Sequence, residues 1–168
     1  RVQRTITGWP GGKPNSDDTY RPERAKPARK KVIIFSPHPD DDVISMGGTF
    51  QRLVDQGHDV HVVYQTSGNI AVSNDSVLKF LEVYSDIFNV DDKYINDIKK
   101  KLFNNNEIFE NKFIREVSTK IREKEALAAT RYVGLKDENV HFLRLPFYET
   151  GKIVKNKPSK DDIDYMNQ

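Results

Sequence analysis

The sequence predicts an α/β domain, a Rossmann-like three-layer arrangement built on a parallel sheet, and three observations carry that prediction. Val32 to Phe35 is a continuous β-branched and aromatic run, the pattern of a strand buried on both faces. A helical pattern follows from Val43 to Gln56 and stops at Gly57. Val60 to Tyr64 is a second run of the buried type. Strand, polar turn, helix, glycine and strand within about thirty residues make a βαβ unit, which implies parallel strands joined by a right-handed crossover.

The first strand ends at Ser36-Pro37-His38-Pro39, because proline neither donates to a central ladder nor extends a helix. Residues 76–88 predict an amphipathic helix, with Val77, Leu81, Tyr84 and Phe88 at helical spacing. A shorter helix is expected over 92–103. A longer one is expected over 107–133, with Phe109, Phe113, Val117 and Ile121 opening its apolar stripe and Gly134 closing it. Val140 to Leu143 predicts a third strand. Ser159, with Asp162 three residues on, has the form of a helix N-terminus. Three clear strands and a last helix only just begun lead to the expectation of a domain truncated at its C-terminus. A helical insertion is expected at about 75–114.

The chain has 168 residues, one domain's worth. No apolar run exceeds four residues, against the ~20 that a spanning helix needs, so no membrane span is expected. No secretory signal is recognisable in it. The absence of cysteine excludes a disulfide framework, a thiolate zinc site and a cysteine nucleophile. A cytoplasmic location is expected.

The net charge of +2 hides an asymmetry. Residues 1–30 hold eight Lys or Arg against three Asp or Glu, and the remaining residues hold nineteen against twenty-two. The leading stretch also holds four of the eight prolines, so 1–30 reads as a basic, Pro/Gly-rich linker or arm, with Trp9 as a candidate anchor. A nucleic-acid binder carries its basic patch on the folded face. No nucleic-acid partner is expected.

The chemistry is concentrated in Pro37-His38-Pro39-Asp40-Asp41-Asp42, between the first strand and its helix, with Gly47-Gly48 soon after. Open α/β sheets bind ligands outside the carboxyl ends of their strands, and this turn lies at such an end. His38 and Asp41, three residues apart, can converge on one ion while Asp40 faces a water on that metal. Imidazole plus carboxylate suits zinc better than magnesium. Zinc lowers the pKa of its water to about 7, and a neighbouring carboxylate can take the proton as general base. The two glycines are expected to let helix and backbone approach closely. The plainer reading is an acidic triplet favoured by the helix dipole, with no metal at all. A magnesium-dependent phosphate-handling enzyme would use the triplet but leaves His38 unexplained.

The run Ile34 to Asp42, followed by Gly47-Gly48-Thr49, resembles the opening motif of the LmbE-like (PIG-L) zinc-dependent N-deacetylases. Thr66-Ser67-Gly68 resembles that family's polar turn, and Arg122-Glu123-Lys124-Glu125-Ala126 its Arg-x-x-Glu-Ala helix. The resemblance covers about 31–85 and 115–147, and makes 31–168 the N-terminal portion of such a domain. The arm and domain together are similar to the C-terminal part of two-domain bacterial proteins of the glucosamine-6-phosphate deaminase-like kind. In those, a sugar-phosphate isomerase-type domain comes first, so an upstream domain of that kind is the implied partner.

By position, the resemblance implies that His38 and Asp41 are zinc ligands, Asp40 the general base and Arg122 a substrate-binding residue. It implies hydrolysis of an N-acetyl group on an amino sugar or its derivative. Asp42 stands where the family often has Glu, and is expected to cap the helix rather than bind metal. The family's late His-x-x-His segment has no counterpart here, so the third ligand is expected beyond Gln168 and the fragment alone is expected to be inactive or nearly so. His58 and His61 share the His-x-x-His spacing but come too early and flank the wrong end of the second strand. His141 lies in the third strand. None of the three is expected to bind this metal. Lys99-Lys100-Lys101 reads as a solvated helix face, and Arg122 also fits a surface pair with Glu125 or Ser118. A different class, a non-catalytic regulatory or interaction domain serving a deaminase-like neighbour, would suit the insertion and the arm; zinc retention separates it from an enzyme.

Overall fold

The computed structural model describes residues 28–90, 92–103, 111–145, 160, 163–164 and 167. The elements run β1 (Lys31–Ser36), α1 (Asp41–Asp55), β2 (Asp59–Tyr64), α2 (Asn74–Phe88), α3 (Asp92–Phe103), α4 (Lys112–Val133) and β3 (Val140–Phe142). The three strands form one parallel sheet in the order β1-β2-β3. Read from its far edge that order is 3-2-1, the first half of a doubly wound sheet. Most of the arm with Trp9, the expected stripe residue Phe109 and the helix cap at Ser159 and Asp162 lie outside the described residues.

The described residues divide into two compact units, one running to Tyr64 and including Ala126–His141, the other comprising Gln65–Glu125 and the chain from Phe142 on. In the first unit the strand register decides the core. Ile34 pairs with Val62 and Ser36 with Tyr64, so with a period of two these residues share one face. All four are buried, as are Phe50 and Leu53 of α1, which lie three residues apart on one helical stripe. Gly57 and Gly134 stop the two helices as expected, at φ +73° and +95°, a conformation that costs any other residue. The start of β1 is clamped to β2. The Lys30 amide donates to Nδ1 of the buried His58 (3.1 Å), and the Asp59 amide donates to the Lys30 carbonyl (2.8 Å).

One expectation for β1 is corrected. Its outward residues Ile33 and Phe35 are 58% and 62% exposed, so among the described residues only one face of the strand is covered. A continuous apolar run is the pattern of two-sided burial, but it cannot specify which segment covers the second side. Strand β2 likewise alternates buried with half-buried positions.

The second unit packs three helices around Val77, Leu81, Ile98, Leu102, Ile114 and Ile121. Helix α2 starts two residues before the expected 76–88, because Ser73 caps it: the Ser76 amide donates to Ser73 Oγ (3.2 Å). Asn89, at φ +50°, closes it in the left-handed conformation that asparagine tolerates. Helix α4 starts at Lys112 rather than at 107. Asn111 Oδ1 accepts from the Phe113 (3.0 Å) and Ile114 (3.4 Å) amides, which is an N-cap the apolar spacing could not reveal.

Truncating the core should show the asymmetry between the faces. Phe50→Ala, at a fully buried position, is expected to cost about 3–5 kcal/mol in chemical denaturation. Ile44→Ala, at a position 76% exposed, should stay within about 0.5 kcal/mol of wild type.

Candidate active site

The turn after β1 is organised by a buried polar cluster. Helix α1 begins at Asp41, two residues before the expected Val43, so Asp41 and Asp42 both occupy its first turn, where the helix dipole favours negative charge. Asp42 is only 2% exposed. Its Oδ2 accepts from the Tyr64 hydroxyl (2.9 Å), its Oδ1 lies 3.3 Å from Ser36 Oγ, and its amide donates to that same Ser36 Oγ (3.0 Å). The Ser36 hydroxyl also reaches the His38 carbonyl at 2.6 Å. The ends of β1 and β2 and the start of α1 are thereby joined by one carboxylate. Burial pushes the Tyr64 phenol far above its ordinary range, and the negative charge and hydrogen bond of Asp42, with Asp40 nearby, push it further the same way. Tyr64 is therefore a fixed donor.

This corrects the expectation that Asp42 caps the helix. The N-cap residue is Asp40, and its side chain makes no capping hydrogen bond. Its backbone carbonyl accepts from the Val43 and Ile44 amides. The expectation for the glycines is corrected as well. A Cβ on Gly47 would meet only Val43 Cγ1 at 3.8 Å, and one on Gly48 nothing within 4 Å, so no described backbone approaches them closely. Met46, just before the pair, departs from helical geometry (φ −146°, ψ 21°).

His38 and Asp41 are brought together. Asp41 Oδ2 lies 3.0 Å from His38 Nδ1 and 3.0 Å from the His38 amide, so the carboxylate fixes both the ring and the backbone that carries it. Both side chains remain partly open to solvent, at 42% and 35%. An imidazole nitrogen and a carboxylate oxygen are donors of the kind a zinc site uses, and the side chains that carry them meet here. Among the described residues no group of three or more potential ligands gathers at one point. The donor set fits two ligands of a zinc site.

The other histidines serve the sheet. His58 Nδ1 accepts the Lys30 amide, as above. His61 Nδ1 meets His141 Nε2 at 3.0 Å with the rings nearly parallel, and His61 Nε2 lies 3.4 Å from Asp59 Oδ1. The early His-x-x-His spacing therefore spans two different structural contacts.

In the second unit, Arg122 is the least exposed partner of a pair with Glu125 (3.4 Å). Its neighbour Glu123 accepts from Arg144 Nε (2.6 Å) and Lys120 Nζ (3.1 Å). Burial alone would raise the Glu123 carboxyl, but those two cations outweigh it and hold the group below its ordinary value of 4.5. Thr66 and Ser67, the expected polar turn, are buried, and Gly68 takes φ +63°.

Sequence reading missed Ser36 and Tyr64. A signal for Tyr64 was available: it is the third inward position of β2 after Val60 and Val62, and a buried tyrosine hydroxyl needs a partner. Which partner depended on the β1–β2 register.

A parallel α/β domain that brings His38 and Asp41 together at the carboxyl end of its first strand is of the class whose ligands bind at that end of the sheet. More particularly, residues 33–166 match the model of the GlcNAc-PI de-N-acetylase (PIG-L) family, and the chain belongs to that family. It is 53% identical, over 98% of its length, to a glucosamine-6-phosphate deaminase-like protein of Bacteroides thetaiotaomicron. It is 42% identical over 48 residues, 29% of its length, to the diacetylchitobiose deacetylase of Thermococcus kodakarensis. The chain spans about a quarter of the first relative's length (26%), and the matched stretch covers 18% of the second's. No solved structure matches it significantly. Among the described residues no helix is long and apolar enough to cross a membrane.

Removing the Tyr64 hydroxyl leaves a buried carboxylate one donor short. Tyr64→Phe is expected to destabilise the protein by about 1.5–3 kcal/mol in urea denaturation. The depressed Glu123 carboxyl contributes stability that is complete above the unfolded value of 4.5 and is lost as pH falls through the folded value. Denaturation midpoints measured between about pH 3 and 6 should fall toward acid, with a shallower slope in Glu123→Gln.

Proposed function

We propose that the chain is part of a cytoplasmic, zinc-dependent N-deacetylase that hydrolyses the N-acetyl group of an amino sugar or its derivative. The observation that carries this reading is the His38–Asp41 pair, with donor atoms 3.0 Å apart at the carboxyl end of β1, in a chain of the de-N-acetylase family. The diacetylchitobiose deacetylase relative supports an N-acetylated sugar as the substrate class.

His38 and Asp41 would hold the zinc, with the remaining ligand supplied from outside the described residues. When bound, zinc supplies a Lewis acid for the acetyl carbonyl and makes water acidic enough, with a pKa of about 7, to serve as nucleophile. Asp40 acts as general base and takes a proton at its carboxylate from the attacking water. Asp42, Ser36 and Tyr64 act through position alone, keeping the turn that carries His38, Asp40 and Asp41 in one conformation. Arg122 is assigned to binding the substrate, on its match to the family's helix motif. The deaminase-like relative supports a sugar-phosphate deaminase-like domain as upstream partner in a longer polypeptide.

The test is zinc stoichiometry on the full-length protein by elemental analysis after dialysis, with acetate release from N-acetylated amino sugars measured on the same samples. About one zinc per chain is expected in wild type and none in His38→Ala. Asp40→Asn should keep its zinc and lose about 10²–10⁴-fold in turnover. A wild-type protein free of zinc would sink the hydrolase reading and leave a binding domain.

A further inference from the structure

Helix α2 carries more apolar surface than its own unit uses. At 100° per residue its apolar positions, from Val83 round to Leu78, cover about 220° of the circumference. A stripe of ~100° is enough for one-sided packing. Val77 and Leu81 occupy one side of that arc in the core, while Phe80, Val83, Tyr84, Ile87 and Phe88 are all more than half exposed. Beside this ridge lies an apolar groove of about 620 Å³, walled by Phe80 and Tyr84 on α2 and by Phe113, Val117 and Ile121 on α4. Ridge and groove are neighbours on the same surface.

We infer that this surface pairs two copies of the chain, the α2 ridge of each copy seated in the groove of the other. Three features favour a second copy over another occupant. The first is self-complementarity. A closed twofold interface requires one patch to carry both the projecting and the receiving shape, and Val83, Ile87 and Phe88 project beside the groove that would receive them. The second is charge. Asp86, which borders the ridge on the side facing α3, and Lys124, which lines the groove, are exposed, and no ion pair is formed by either among the described residues. Seating a ridge in the partner's groove brings Asp86 of one copy toward Lys124 of the other, twice in the dimer.

The third is area. The exposed parts of Phe80, Val83, Tyr84, Ile87, Phe88 and Phe113 amount to roughly 600 Å² when a whole aromatic side chain is taken as ~150–250 Å². That is the upper end of what monomers leave exposed, and with the charged rim it approaches the ~800 Å² per partner of a stable complex.

Sedimentation equilibrium on the full chain between about 1 and 100 µM tests this, with circular dichroism as the folding control. Wild type is expected to dimerise. Ile87→Asp, at a position 66% exposed, should keep its fold and weaken dimerisation at least about tenfold. Asp86→Lys and Lys124→Glu should each weaken it about tenfold, and the double variant should recover to within about threefold of wild type. That reciprocal rescue is what an unrelated occupant of the groove would not produce. A chain that stays monomeric at 100 µM, a dimer indifferent to Ile87→Asp, or a double variant no better than the singles would each overturn the proposal. A monomer whose groove takes up the anionic dye anilinonaphthalene sulfonate would point to an amphiphile as occupant instead.

Discussion

The arrangement of the candidate site depends on one buried carboxylate. Asp42 has been taken out of water at the start of α1, and such a group is tolerated only when hydrogen bonds replace the lost hydration. Its partners come from the two strands on which the first unit is built: Ser36 ends β1 and Tyr64 ends β2. Satisfying this carboxylate fixes where the helix leaves the sheet. It also closes the turn between them, because Ser36 reaches the His38 carbonyl as well.

Three consecutive aspartates therefore do three different things. Asp42 points into the core, Asp41 holds His38, and Asp40 lends its backbone to the helix while its carboxylate stays out of capping. A helix turns 100° per residue, so neighbours at its start face different surroundings. The helix dipole favours acidic residues here in general. It does not account for Asp42, whose hydrogen bonds belong to the sheet, nor for the 3.0 Å approach of Asp41 to an imidazole. Helix-end chemistry alone therefore does not explain how the three side chains are used.

The second unit answers a different constraint. Its helices bury a continuous aliphatic core, yet α2 also presents aromatic and β-branched side chains away from it. One-sided packing needs one apolar stripe; α2 carries nearly two. Glu123, flanked in sequence by Arg122 and Lys124, is held by Lys120 and Arg144, so the stretch resembling a family motif is braced by an arginine twenty-one residues further on. Arg144 itself sits at φ +50°, a conformation unfavourable for its type, and its two carboxylate partners offset that cost.

The βαβ order, the glycine stops at Gly57 and Gly134, the parallel sheet and the His38–Asp41 spacing were all legible in the amino-acid sequence. Each of these rests on local periodicity, backbone conformational freedom or residues only a few positions apart. Family membership was legible for the same reason, since its opening motif is contiguous. Three outcomes needed the folded arrangement: among the described residues β1 has one face uncovered, Asp42 is a core residue rather than a cap, and His61 meets His141 across eighty residues. Those outcomes depend on which strands pair and in what register, and register brings together side chains whose separation along the chain carries no signal of their contact.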